Sequence, residues 1–128
     1  MATRVYQQAA EPPADSVKIL TLPERRPGMT PPDFARHWLV THAGLALAGA
    51  GTRERLWRLV SAPATRQSLS GLESSRFDGI GIIQFVSLAA SREEISSEHY
   101  RTVLAPDEPR FTDPTGSRAM LVHEAVVV

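Results

Sequence analysis

Residues 78–86, DGIGIIQFV, restrict the fold more than any other stretch. Apart from Asp78 and Gln84, every position is apolar or glycine. The run is too short for a buried helix and too apolar for a strand with one wet face, so it predicts a central strand covered on both sides. Gly79 and Gly81 leave room inside it where something approaches the backbone closely. Gln84 is the polar exception. A buried amide needs partners, so it either touches a ligand or is tied to neighbouring strands.

The second organising stretch is TPPDFARHWLVTHAGLALAGA, residues 30–50, which predicts one helix. Thr30 can cap its first turn, Pro31 lacks an N–H that would be unpaired there, and Asp33 favours the positive end. Phe34, Trp38, Thr41, Leu45 and Ala48 share one stripe. His37 and His42 fall on opposite shoulders of it, roughly 140° apart at about 100° per residue. On a straight α-helix they cannot converge on one metal, which uses i,i+4 spacing. Gly49 and Gly51 end the helix.

Around these two stretches the chain reads as alternating elements. Residues 1–15 are polar with a Pro pair and are expected to form a flexible arm, with a domain over 16–128. Strands are expected at 16–22, 53–60 and 117–128. A polar loop spans 65–77. A helix is expected at 87–97, with Ser91 before Arg92, Glu93 and Glu94, and a short turn at 98–104. Pro106 and Pro109 then break the chain into a loop through Phe111, Asp113 and Pro114. Strand, helix, strand, strand, helix, strand is the ferredoxin-like α+β order, a four-stranded antiparallel sheet with helices on one face. Val17, Ile19, Ile83, Phe85, Leu121 and Val127 are too apolar for either face to stay wet. A second copy of the sheet is the natural cover, so a homodimer packed through its sheets is expected.

Composition narrows the function classes. The 128 residues suit one domain, and 14 basic against 14 acidic side chains give no electrostatic case for nucleic acid or an anionic membrane. No apolar run approaches the roughly 20 residues of a bilayer span. The absence of cysteine excludes disulfides and thiolate chemistry and fits a cytoplasmic chain. Asp78-Gly79-Ile80-Gly81 lies inside a strand, so it is no phosphate loop, and no Gly-x-Ser-x-Gly is present.

Three segments resemble the EthD-domain family of the dimeric α+β barrel superfamily: RRPGMTPPDFARHWLVTHAGL, FDGIGIIQFVSL and LAPDEPRFTDPTGSRAMLVHEAVV, in that order. The resemblance implies a ferredoxin-like subunit, a dimer whose sheets meet in a barrel, and a pocket between sheet and helices in each subunit. It singles out His42, in the Trp-x-x-x-His-Ala context, and places His37 where an aromatic residue is usual. Asp78-Gly79 match the family's Asp-Gly, and Asp107, Phe111 and Asp113 match its late acidic motif. The activities it implies are those of ether degradation and of related polyketide cyclases, anthrone-type dehydratases or decarboxylases, and cofactor-free monooxygenases.

The residues themselves favour His42 as a general acid/base, because an imidazole exchanges protons near neutral pH. The alternative is a helix histidine bonded to a sheet carbonyl or to Asp78. Asp78 itself, at a strand start beside Gly79, is a turn residue capping backbone donors or, in the sharper reading, orients His42. His37 assists by bonding a substrate oxygen or else packs against the second helix. His99 closes the pocket or is an exposed helix residue, and His123 faces either pocket or barrel. Trp38, Trp57, Phe85 and Phe111 serve as pocket walls or plain core. No HxH or HExxH spacing supports a metal site, and no cofactor is expected. The expected function is a small cofactor-independent lyase or cyclase acting on an aromatic or polyketide-like molecule. A cofactor-free oxygenase, a non-catalytic ligand-binding accessory protein and a dimer with a filled pocket are the alternatives.

Overall fold

The computed structural model describes residues 3–65 and 67–124. Five antiparallel strands form one sheet in the order β1-β3-β4-β2-β5: β1 Arg4–Gln7, β2 Val17–Leu22, β3 Leu56–Pro63, β4 Gly79–Phe85 and β5 Arg118–Val122. Without β1, this is the ferredoxin-like order. β1 lies within the segment expected to be a flexible arm. It pairs with β3 through Val5↔Val60 and Tyr6↔Leu59, so that arm is in part an edge strand. β4 is central, as its apolar run predicts. β3 starts three residues later than expected, because Arg53 and Arg55 still belong to a helix. Residues 125–128, part of the expected last strand and including Val127, lie outside the described residues.

One face of the sheet carries the helices. On it Val17 and Ile19 of β2 stand beside Phe85 and Ile83 of β4, and this cluster packs against Leu47 and Ala90 from the helical layer. Leu121 pairs with Ile19 on the same side. The residues that argued for an uncovered apolar face therefore mostly face the helices. The opposite face carries a different row, Val5–Val60–Ile82–Leu20–Met120, in register across all five strands. At its ends Val5 and Met120 are each 53% exposed in the single chain.

The first helical stretch runs through α1 (Pro31–Arg36), a π-helical turn (His37–His42) and α2 (Ala43–Ala48). The Thr30 hydroxyl accepts from the Asp33 N–H, as the cap pattern predicts. Gly49 interrupts the helix with extended backbone, whereas Gly51 sits inside α3 (Ala50–Arg55) rather than ending anything. The glycines of β4 make room for Trp38. A Cβ on Gly79 would come 2.7 Å from its ring and 2.5 Å from the Ala62 carbonyl, and one on Gly81 would meet the Thr21 hydroxyl first and lie 3.3 Å from the ring.

The second stretch begins at α4 (Leu88–Ser96), capped by Ser87, whose hydroxyl accepts from the Ala90 N–H. Ser91, singled out by the acidic run after it, is one turn inside the helix and buried. A π-helical turn (Tyr100–Leu104), α5 (Ala105–Asp107) and a 3₁₀ turn (Glu108–Arg110) follow. Helix thus persists where Pro106 and Pro109 were expected to impose a loop. A proline ring clashes with the carbonyl four residues earlier in a regular α-helix, and the widened turn ahead of Pro106 relieves that clash.

Candidate active site

The π-helical turn brings His37 and His42 together. A π turn bonds i to i+5, and here the Ala43 N–H reaches back to the Trp38 carbonyl. Residues five apart then fall on one side of the helix, where a straight α-helix would hold them far apart. Arg4 of β1 donates to the Leu39 carbonyl at 2.9 Å, so the edge strand braces the middle of this turn.

Both rings close on Asp107, which is only 1% exposed. His42 Nδ1 lies 2.8 Å from Asp107 Oδ2, and His37 Nε2 lies 3.0 and 3.1 Å from its two oxygens. An ionised carboxylate only accepts, so each of these ring nitrogens is the donor. Arg110 Nη1 adds a positive charge 3.5 Å from Oδ1. Burial alone would raise the Asp107 carboxyl. The two imidazole hydrogen bonds, with their charge attraction, outweigh it and hold the group below the ordinary carboxylate value. With Nδ1–H committed to Asp107, the neutral His42 ring carries its lone pair on Nε2. That atom makes no hydrogen bond among the described residues.

Phe111 roofs the pair. Its ring stacks on His37 at 4.7 Å and 18°, and tilts against His42 at 5.0 Å. Behind it, Phe34 lies 5.8 Å from Phe111 and 5.5 Å from Trp38, which reaches the β4 glycines. An aromatic column therefore connects the sheet to the histidines. The Phe111 backbone is fixed in turn: its carbonyl accepts from the Arg26 N–H at 2.9 Å, and Arg25 and Thr112 form a β-bridge.

His42 opens onto a cavity of about 640 Å³ between the sheet and the second helical stretch. Ile19, Ile83, Phe85 and Phe111 make its apolar wall, and Glu94, Tyr100 and Glu108 its polar one. Glu94 is occupied, accepting from Thr52 Oγ1 and Arg55 Nε. A second hollow of about 710 Å³, around residues 24–31, lies apart from the histidines. Four of its five charged side chains are paired off as Arg25–Asp78 and Arg76–Glu24, and Arg26 donates to the Arg110 carbonyl, which makes it a weaker candidate for chemistry. No group of three or more His, Asp or Glu side chains arranged to hold a metal ion occurs among the described residues.

The EthD domain family matches this chain over residues 26–115, most of its length. The chain belongs to the EthD domain family. The EthD match takes in His37, His42, Asp107 and Phe111 together. The fold agrees: a crystal structure of an EthD family protein from Bacillus halodurans C-125 superposes with a TM-score of 0.64. It is 20% identical, and the alignment covers 86% of this chain and 99% of that one. No curated protein sequence matches.

Of the residues singled out in this EthD chain by sequence, His42, His37 and Phe111 come together. Asp78 does not orient His42. Its carboxylate takes Arg25 Nη1 and the Arg25 N–H, each at 2.7 Å. His99 does not close the cavity; it bonds the Leu45 carbonyl at 2.8 Å and packs on Gly49. Trp38 is core. Trp57 is buried in the irregular start of β3, away from the cavity, with its Nε1 unpartnered among the described residues. Gln84 lies on the opposite sheet face and donates to Ser16 Oγ. His123 is exposed beyond the end of β5, beside Gln84 and Pro12. The residues missed as site members are Asp107, Tyr100 and Glu108. The late acidic motif pointed at Asp107, but the flanking prolines hid the helix that aims it.

Proposed function

We propose that this EthD-family chain is a cofactor-independent enzyme of the lyase or cyclase type, acting on an aromatic or polyketide-like small molecule, with His42 as general acid/base. The observation that carries the reading is His42 Nδ1 held on buried Asp107, which leaves Nε2 for a ligand in the adjoining cavity. The carboxylate fixes the tautomer and stabilises the imidazolium formed when Nε2 takes a proton, the division of labour known from hydrolase triads. His37, bonded to the same carboxylate, fixes the other side of the pair. The apolar wall suits a flat hydrocarbon skeleton.

Turnover of a panel of aryl ketones and linear polyketones tests this. The wild type should convert one or more with and without dioxygen, and His42→Ala should lower the rate by about 10²–10⁴-fold. Conversion that needs dioxygen would favour an oxygenase. Binding without conversion in either protein would favour a carrier.

We also propose that a second copy of the chain covers the apolar row Val5–Val60–Ile82–Leu20–Met120. A row of this kind across a whole sheet face is a poor fit to water. Ile82→Glu should halve the mass measured by light scattering while preserving the far-UV circular dichroism. A wild type that scatters as a single copy refutes the dimer.

A further inference from the structure

The cavity holds a second pair of polar groups that the histidine chemistry leaves unused. Tyr100 hydroxyl donates to Glu108 Oε1 at 3.4 Å, and both side chains are half-buried and line the same space as His42. Glu108 Oε2 makes no hydrogen bond among the described residues. Asp107 and Glu108 are consecutive, yet they face different work: one is clasped by two imidazoles, the other looks into the hollow. Burial raises the Glu108 carboxyl above its ordinary value, and Asp107 beside it adds to this; His42 and the Tyr100 hydroxyl pull the other way without cancelling it. Tyr100 is likewise raised, by burial and then by Glu108, so it stays neutral. Among the cavity's lining side chains Arg118 is the one cation, and its guanidinium is spent on the Thr115 and Ser117 carbonyls.

We infer that Glu108, positioned by Tyr100, is the second proton-exchanging group of this cavity, and that its substrate is an uncharged ketone. The inference rests on the general acid/base reading of His42. His42 Nε2 removes a proton from the carbon beside the carbonyl, while Glu108 delivers its proton to the carbonyl oxygen. The products are a neutral enol, an imidazolium and a carboxylate. With a β-hydroxyl present, the carboxylate takes the enol proton back and the carbonyl re-forms. The carbon–carbon double bond then shifts to expel the hydroxyl, which takes the imidazolium proton and leaves as water. Both groups return to their starting states, and no oxidant is consumed. Concerted push and pull of this kind keeps charge from building up on the substrate in an apolar wall.

The test is exchange of the methyl protons of acetophenone for deuterium from solvent, followed by proton NMR across pH. The wild type should exchange it, with a rate that rises and then falls with pH. Glu108→Gln should lower the rate roughly a hundredfold and abolish the fall at high pH, because the falling limb is loss of the acid's proton. Tyr100→Phe removes a hydrogen bond that lowers the Glu108 value, so it should move that limb to higher pH. The anionic analogue 4-acetylbenzoate should exchange more slowly; equal rates overturn the uncharged-substrate assignment. Full activity and an unchanged pH profile in Glu108→Gln, with His42→Ala silent, overturn the role of Glu108 and leave that of His42. Exchange that survives His42→Ala overturns the His42 reading, and a wild type without exchange overturns both.

Discussion

Replacing Asp107 by asparagine should slow proton transfer at His42 by roughly 10²–10⁴-fold while leaving the chain folded. The asparagine is nearly the same size but presents a donor where the carboxylate only accepts. An amide N–H facing His42 Nδ1 makes that nitrogen the acceptor and moves the ring proton to Nε2, the atom that must take a proton in the cavity. The imidazolium also loses its counter-charge. Stability should fall by about 1–3 kcal/mol, the cost of leaving a buried donor poorly paired. Thermal melts at stepped pH separate this from general damage. Asp107 is held below the ordinary carboxylate value in the fold. Its contribution is therefore complete above the unfolded value, near 4, and is lost as pH falls through the lower folded one. The wild type should lose more melting temperature than Asp107→Asn on going from about pH 5 to pH 3. The Asp78–Arg25 and Glu94–Arg55 pairs are common to both proteins and drop out of the difference. Equal losses would show that Asp107 contributes no charge-dependent stability, and a variant with wild-type exchange would show that it does not set the tautomer.

Why this carboxylate and not Asp78 partners the histidines explains how far the sequence could be read. The central strand was legible because an unbroken apolar run has few other fates, and the cap at Thr30 because hydroxyl, proline and carboxylate stand at fixed offsets. The ferredoxin-like order of β2 to β5 followed from the alternation of strands and helices, and the EthD motifs agreed with it; the edge strand β1 did not. The site was not legible in the same way. Periodicity arguments assume 3.6 residues per turn, and under that rule His37 and His42 diverge. One widened turn is enough to align them, and nothing in the side-chain pattern of His37–His42 announces it. Asp107 was obscured by a related error. Proline clashes with the carbonyl four residues earlier in a regular α-helix, and the Tyr100–Leu104 turn ahead of Pro106 is not regular. Two departures from α geometry, on the two helical stretches, thus produce the one constellation that local rules fail to predict. π turns recur at functional sites for the same reason: they trade regular bonding for side-chain placement. The apolar outer face was expected for the wrong residues. Alternation assigns the two faces only once register is known, and register came from the pairing of all five strands, including one in the segment read as an arm.

Phe34→Ala should be the most destabilising single change, costing about 3–5 kcal/mol. Phe34 is 1% exposed and lies between Trp38 and Phe111, so its removal leaves a hole with aromatic rings on both sides. Neither neighbour can fill it freely. Trp38 is pinned by the close approach of Gly79 and Gly81, and the Phe111 backbone is tied to Arg26. A cavity that cannot collapse carries the full penalty of lost contacts. Against a total stability of about 5–15 kcal/mol for a domain, that is a large share. The melting temperature should drop by roughly 10–20 °C. The same change reaches the chemistry, because Phe111 is the ring stacked on His37 and leaning on His42. A Phe111 with space behind it no longer fixes the imidazole planes, so exchange should fall even at temperatures where the variant is folded. Phe34→Leu, which refills most of the volume, should recover stability more fully than rate, since a branched aliphatic chain supports Phe111 without matching its face. If Phe34→Ala melts within a few degrees of the wild type, the aromatic column is not what holds the helix to the sheet. If it melts low but exchanges protons at the wild-type rate below its transition, the column supports the fold and leaves the histidines to Asp107 alone.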